Sequence, residues 1–321
     1  MTAPVVVIGR NEGARFVRCL ASLKGRAERI VYVDSGSSDA SVDHAREAGA
    51  IVVELDMSRP FTAARARNAG LSALLADAPA TYVQFLDGDC EMRDGWMEAA
   101  TAYLEAQPEF AITCGRLRER YPEASFYNRV CDQEWATEPG EMKKCGGIFM
   151  ARVAPLRDLG GFNEDLVAGE EPELCLRLRR KGWRIWRLDH EMAWHDAAMT
   201  RLSEWWTRAT RAGLTYAEGA VMYGAGPERY NVKEALRAAF WGAALPAALL
   251  FAACVTPWAL LGFALYPLRA ARLARRDGGD GFAWRLAGLN TLGKFAEALG
   301  MARYFWRRLF ARPAQIIEYK K

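Results

Sequence analysis

Two aspartates one residue apart, Asp87-Gly-Asp89, close an apolar run of the chain. At that spacing one carboxylate can hold a hard divalent cation while the other meets a ribose or a metal-bound water. The plainer reading of the same residues is an Asp-Gly turn. Glu170-Glu171-Pro-Glu173 gathers three acids at a helix start, where they complement the helix dipole or supply a general base. His195, in Ala193-Trp194-His195-Asp196, can ligate a metal through a neutral imidazole or serve as a satisfied structural histidine.

Such residues work only if secondary structure brings them together. Val5–Ile8, Arg29–Val33, Ala50–Leu55 and Thr81–Leu86 are β-rich runs of strand length. Arg15–Leu23, Asp39–Ala48 and Thr62–Leu75 lie between them and have helical character, the last rich in Ala, Arg and Leu. This alternation predicts an α/β fold with a mostly parallel sheet and flanking helices. Ligands of such sheets bind beyond the carboxyl ends of the strands. Asn11-Glu12, Asp34-Ser-Gly-Ser-Ser-Asp39 and Asp87-Gly-Asp89 all fall there. Neither G-x-G-x-x-G nor G-x-x-x-x-G-K-[ST] occurs, so dinucleotide-binding and P-loop functions lose their support. Further along, Gly146-Gly147-Ile-Phe-Met150 reads as a tight turn entering a strand. The segment from Gly169 to Gly182 reads as a helix with proline in its first turn and glycine after its last. Trp183–Leu188 reads as another strand.

The chain has 321 residues, 51% hydrophobic and 26% charged, which supports a large core and excludes wholesale disorder. A mean hydropathy of -0.13 excludes a polytopic membrane protein. The charge is uneven: from Arg237 onward there are 13 Lys and Arg against 4 Asp and Glu, while the preceding residues carry 30 against 35. Ala238–Leu268 is 31 residues without a charge, flanked by Lys233 and Arg237 before and by Arg269, Arg272, Arg275 and Arg276 after. One helix of that length would run ~46 Å, longer than a bilayer core of about 30 Å. Pro246, Pro257 and Pro267 argue against one straight helix, so a broken or re-entrant hairpin is expected. Basic flanks and interleaved aromatics make a membrane surface, rather than nucleic acid, the anionic partner, with the cytoplasmic face as the expected side. Seven scattered cysteines form no disulfide or zinc framework, and no signal peptide reads from the N-terminal residues. The expected division is a globular part over 1–232 and a helical, membrane-associating part over 233–321.

Several segments, taken in order, resemble the family-2 glycosyltransferases: Pro4-Val-Val-Val-Ile-Gly-Arg-Asn-Glu12, Asp34-Ser-Gly-Ser-Ser-Asp39, Ala66-Arg-Asn-Ala-Gly70, Phe85-Leu-Asp-Gly-Asp89, Gly146-Gly147, Gly160-Gly-Phe-Asn-Glu164 and Gly169-Glu-Glu-Pro-Glu-Leu174. The resemblance implies a GT-A fold, a nucleotide-diphosphate sugar donor, Mg²⁺ or Mn²⁺, and inversion at the anomeric carbon. It assigns Asp89 to the metal, beside which His195 is the further candidate ligand by its residue type, and Asp87 to the ribose or metal-bound water. Asn11, Glu12, Asp34, Arg67, Asn68, Arg208 and Arg211 then belong to the donor side, and Gly146, Gly147, Glu170 and Trp205 to the acceptor side. Glu171 stands where the family usually has its catalytic aspartate. Asp34-Ser35 replaces a pair of aspartates frequent in the family. Arg201-Leu-Ser-Glu-Trp205 replaces the Q-x-x-R-W of its polysaccharide synthases, which implies addition of a single sugar.

The resulting expectation is a membrane-associated transferase that adds one sugar to a hydroxyl of a lipid-linked or cell-surface glycan. A polyprenyl-phosphate sugar synthase, whose acceptor needs no strong base, is one alternative. A catalytically silent carbohydrate-binding or scaffold protein is the other; retention of Asp87, Asp89 and Glu171 together argues against it.

Overall fold

Val5-Val-Val-Ile-Gly9 and Ile30-Val-Tyr-Val-Asp34 are β-branched, buried runs too short to be helices, and they form the middle of a sheet. The computed structural model describes residues 3–310 and divides the chain into two units, 1–200 and 201–321.

The elements of the first unit, in chain order, are β1 (Val5–Gly9), α1 (Ala14–Leu23), β2 (Ile30–Asp34), α2 (Ser41–Glu47), β3 (Ile51–Glu54), α3 (Ala63–Asp77), β4 (Tyr82–Asp87), β5 (Cys90–Met92), α4 (Trp96–Ala106), β6 (Phe110–Glu119), α5 (Phe126–Trp135), β7 (Gly140–Met142), β8 (Phe149–Arg152), α6 (Val153–Asp158), α7 (Glu170–Arg180) and β9 (Arg184–His195). The expected strands and helices of the first half appear within a residue or two. Strand order is β3-β2-β1-β4-β8-β6-β9-β5, with β7 beside β9. The sheet is mixed, which corrects the expected mostly parallel one. β3, β2, β1 and β4 run parallel, but β8 enters antiparallel between β4 and β6, and β5 and β7 pair antiparallel with β9. The α/β architecture with flanking helices is as expected. Short apolar runs betray a strand but not its direction. The α/β core closes over Phe16, Tyr32, Phe85, Trp96 and Phe149, all buried.

The second unit holds α8 (Leu202–Tyr223), α9 (Val232–Ala239), α10 (Leu245–Ala253), α11 (Leu265–Arg276) and α12 (Gly281–Leu309). It begins earlier than the expected boundary at 232 and 233, because α8 packs its length against α12 and belongs with it. Residues 311–321 of the expected C-terminal part lie outside the described residues. A π-helical turn, Phe240–Ala244, joins α9 to α10, and together they make a 22-residue helix, Val232–Ala253. Among the described residues it is the one helix long and apolar enough to cross a membrane. The chain then turns at Cys254–Thr256 and returns through a 3₁₀ segment, Pro257–Ala264, so the uncharged run is a bent hairpin. Gly262 fits against Leu249 at the fold of the hairpin.

Helices α8 and α12 meet backbone to backbone. A Cβ on Gly213 would collide with the carbonyl oxygen of Glu297, and one on Gly300 with that of Thr210. Gly293 makes room for Trp205, whose ring a Cβ would approach to 2.8 Å. We predict that Gly300→Ala, which forces this crossing apart, lowers the stability of the second unit by about 1–3 kcal/mol. Urea unfolding followed by near-ultraviolet circular dichroism measures it, and an unchanged midpoint would contradict this packing.

Candidate active site

Arg67 lies in α3, where an all-round mixture of Ala, Arg and Leu favours helix but leaves a cation facing the sheet. The residue is only 3% exposed. Its Nη1 donates to Glu170 Oε1 at 2.5 Å, and its Nη2 donates to Asp87 Oδ1 at 2.9 Å and to the Gly147 carbonyl at 3.2 Å. One guanidinium thus ties the end of β4 to the start of α7 and to the loop before β8. A side chain at 147 would spoil this: its Cβ would lie 2.7 Å from Arg67 Nη2. Gly146 has no such neighbour. Burial alone would weaken the hold of Arg67 on its proton, but the charges of Asp87, Glu170 and Glu171 more than offset it.

Glu171 follows Glu170 in the first turn of α7. Part of its side chain reaches solvent, yet its carboxyl is pushed well above the ordinary carboxylate range. Burial is the main cause and the neighbouring Glu170 charge the next, with Arg67 opposing both. Glu173 is used differently: its two oxygens take the Arg177 Nε at 2.8 and 2.9 Å. Arg177 in turn donates to the Leu159 and Gly161 carbonyls. The three acids therefore divide into a guanidinium partner, a candidate base and a structural anchor.

The second cluster forms through strand register. β5 pairs with β9 so that Cys90 faces His195, one residue from Asp89, and Asp196 N donates to the Asp89 carbonyl at 3.2 Å. His195 Nε2 lies 3.1 Å from Asp89 Oδ2, while His195 Nδ1 is buried without a hydrogen-bond partner. Asp89, Cys90 and His195 present ligand atoms within 4.8 Å of one another, the one such group among the described residues. A carboxylate and an imidazole together fit a divalent ion, and the imidazole suits Mn²⁺ better than Mg²⁺. Burial pushes the Asp87 carboxyl up; Arg67 opposes this and Asp89 adds to it.

Around these clusters the loops are fixed by residues whose role no sequence pattern signals. Glu119 Oε2 accepts from Ala197 N and Asn128 Oδ1 from Met199 N, holding the chain after His195, and the Trp135 ring lies 4.7 Å from the imidazole. Cys90, the third member of this group, is signalled in the sequence only by its place next to Asp89.

Other expected site residues make contacts within the protein. Asp34 accepts from Tyr32 Oη and from the amides of Gly36 and Ser37, at 2.8 to 2.9 Å. Asn11 receives Ser38 N at 2.7 Å and donates its own amide to Ser37, joining the loops after β1 and β2. Glu12 pairs with Arg15 at 2.7 Å. Asn68, expected on the donor side, clasps the backbone of Phe162 from both ends of its amide. This requires Gly161, at φ +77, because a Cβ there would strike Asn68. Trp205, expected at the acceptor, packs beside Gly293 inside the second unit, and Arg208 and Arg211 lie on the same helix, α8.

Residues 5–151 match the family model Glycosyl transferase family 2. A pre-mycofactocin glycosyltransferase of Mycobacterium tuberculosis is 28% identical over 231 residues, covering 68% of this chain and 47% of that protein. The chain thus spans about half the length of that curated relative. Among solved structures, the mannosyltransferase PcManGT of Pyrobaculum calidifontis, in complex with GDP-Man and Mn²⁺, aligns with a TM-score of 0.63 at 19% identity over 95% of this chain and 87% of its own. S. aureus TarS 1-349 aligns with a TM-score of 0.53 at 16% identity, over 94% and 91%. Residues 5–151 thus carry a family-2 glycosyltransferase domain, and the fold is of the GT-A type.

Arg67→Met should leave Asp87 and Glu170 uncompensated at neutral pH. The expected cost is about 3 kcal/mol, the lower end for a broken buried pair because Asp87 keeps some solvent access. A carboxyl whose folded pKa is raised opposes folding once ionised, so the part of the cost due to Asp87, whose carboxyl burial pushes up, should shrink as pH falls through its raised value. Urea unfolding at acidic and neutral pH tests this; a pH-independent cost would contradict the assignment.

Proposed function

We propose that the protein is an inverting, divalent-metal-dependent transferase that moves one sugar from a nucleoside-diphosphate sugar to a hydroxyl of a lipid-linked or surface-glycan acceptor, working at the cytoplasmic face of a membrane. The observation that carries the chemistry is the Arg67 bridge, which sets the candidate base on α7 beside the strand-end Asp87 and the Asp89–His195 pair.

The chemistry follows from charge. As the glycosidic bond breaks, the departing diphosphate gathers negative charge. Asp89 and His195 would hold the Mn²⁺ or Mg²⁺ that neutralises it. Asp87, oriented by Arg67, is free on its other oxygen to meet a donor hydroxyl. An acceptor hydroxyl is a poor nucleophile near neutral pH, so Glu171 takes its proton as it attacks the anomeric carbon. Its crowded setting favours the proton-bound form and so strengthens it as a base, and nearby Arg67 keeps ionisation within reach. One displacement from the face opposite the diphosphate inverts the anomeric carbon. The membrane part of the proposal is supported by exposure in the second unit: Phe251, Val255 and Trp258 are 79%, 85% and 77% exposed, on a hairpin with basic flanks.

We predict that Glu171→Gln loses roughly 10²–10⁴-fold in kcat with donor affinity nearly unchanged. In the unsubstituted enzyme kcat/KM should rise with pH through a value above the ordinary carboxylate range, because the base must ionise. Glu170→Gln removes a like charge and should move that limb to lower pH. Full activity in Glu171→Gln would favour a phosphate acceptor, and a dead Glu173→Gln with an active Glu171→Gln would relocate the base.

Donor turnover should stop in chelator and return with Mn²⁺ more strongly than with Mg²⁺. Asp89→Asn should lower it by at least ~10²-fold. Measuring nucleotide release across nucleoside-diphosphate sugars tests both, and undiminished release in chelator would remove the metal from the proposal.

A further inference from the structure

The hairpin of the second unit carries its own level markers. Tyr266 Oη donates to the Trp241 carbonyl at 2.6 Å, and the Arg269 guanidinium lies 5.2 Å from the centre of the Trp241 ring. Trp241 stands on the outgoing arm and Tyr266 and Arg269 on the returning one, so the two arms are in register at this point. Trp, Tyr and Arg together are the residues that favour a membrane–water boundary. Beyond this level the outgoing arm from Phe240 to Ala253 extends ~20 Å before the chain turns back, which is short of a bilayer core of about 30 Å. The hairpin can enter one leaflet and is too short to cross both.

Just below the same level lies a cleft of about 590 Å³ along one face of α9 and the segment preceding it. Arg229, Lys233 and Arg237 line it at every fourth position, with Phe240 and Trp241 closing its apolar end. Glu228 is its one acid, leaving a net of two positive charges on a shallow, open surface. All three basic residues are exposed. Along the helix, Arg237 and Lys233 stand ~4.5 and ~10 Å from Phe240, which is the depth at which headgroups flank the hydrocarbon core. No residue of the α/β unit is needed to build it.

We propose that this cleft seats the phosphate of an anionic phospholipid headgroup, with Phe240 and the hairpin beyond it buried among the acyl chains of the same leaflet. The proposal rests on the membrane part of the reading above and is independent of the transfer chemistry. Spacing explains the preference for a lipid: the charges sit where a phosphate would be held by bilayer geometry, and the apolar end of the cleft continues into the surface its tails would cover. A flat basic patch would attract counter-ions without that continuity.

The test is flotation of the full chain with vesicles of phosphatidylcholine alone or with about a quarter phosphatidylglycerol, with donor hydrolysis assayed in parallel to show intact folding. The unsubstituted protein should bind the anionic vesicles about 100-fold more tightly than the neutral ones, at about fivefold per basic residue. Arg229→Gln/Lys233→Gln/Arg237→Gln should lose that increment while keeping neutral-vesicle binding and hydrolysis. Phe251→Glu/Trp258→Glu/Leu261→Glu should lose binding to both. Removing three charges that do not line the cleft, at Arg275, Arg303 and Arg308, should cost no more than about tenfold. Equal losses from the two basic triples would show diffuse attraction and overturn the cleft, as would undiminished discrimination in the cleft variant. If the unsubstituted chain floats with neither vesicle, the cleft and the membrane reading both fall, while retained hydrolysis leaves the transferase reading standing.

Discussion

Three separate pieces of the α/β unit meet at a single buried cation. Arg67 reaches from α3 to the last residue of β4, the first residue of α7 and the carbonyl of Gly147. None of these segments is a neighbour of the others in sequence, and none would bring carboxylates together unaided, since like charges at this burial repel. With the guanidinium in place, Asp87 and Glu170 become its ligands and Glu171 is left as the acid without that bond. Division of labour among adjacent acids thus comes from geometry around one cation, not from any chemical difference between them.

The Asp89–His195 pair depends on a different constraint, the antiparallel register of β5 on β9. A slip of one residue would turn the imidazole to the other face of the sheet. Several bonds guard against this: Glu119 and Asn128 fix the chain just past His195, and Arg18 joins Glu91 of β5 to Asp196 beyond β9. Local stiffness around the candidate metal ligands is therefore built from residues that never need to touch a substrate.

These two constraints also explain what could be read from the chain alone. Strands β1 to β4 and helix α7 were legible because β-branched runs and a proline–glycine bracket are local signals. Asp87, Asp89, Glu171 and His195 were legible because they stand at strand ends and at a helix start, where such residues are solvent-facing by default. Strand direction was not, and β5, β7 and β8 pair antiparallel with their neighbours. Roles set by long-range partners were hidden too. Nothing local to Asn68 signals that its amide matches the backbone of Phe162 far along the chain. Nothing local to Trp205 signals that Gly293 on α12 leaves a slot for it. The composition shift near residue 232 marks where apolar residues begin, while the structural division follows α8 onto α12.

That last difference bears on why the hairpin is so apolar. A helical unit can hold together by burying large side chains or by letting backbones approach at glycine. Here α8 and α12 use the second route, at Gly213 and Gly300, along with small buried residues such as Ala217, Ala287 and Ala296. Trp205, Leu214 and Tyr304 are buried there too, but the large apolar residues of the hairpin are left uncovered: Phe240, Leu250, Phe251, Val255, Trp258, Leu261 and Leu268 are all at least half exposed. Leaving such side chains in water forgoes about 1.5–3 kcal/mol each relative to burial, and a contiguous surface of this kind marks an interaction site. The stability of the unit and the apolarity of its hairpin are thus separate properties of its sequence.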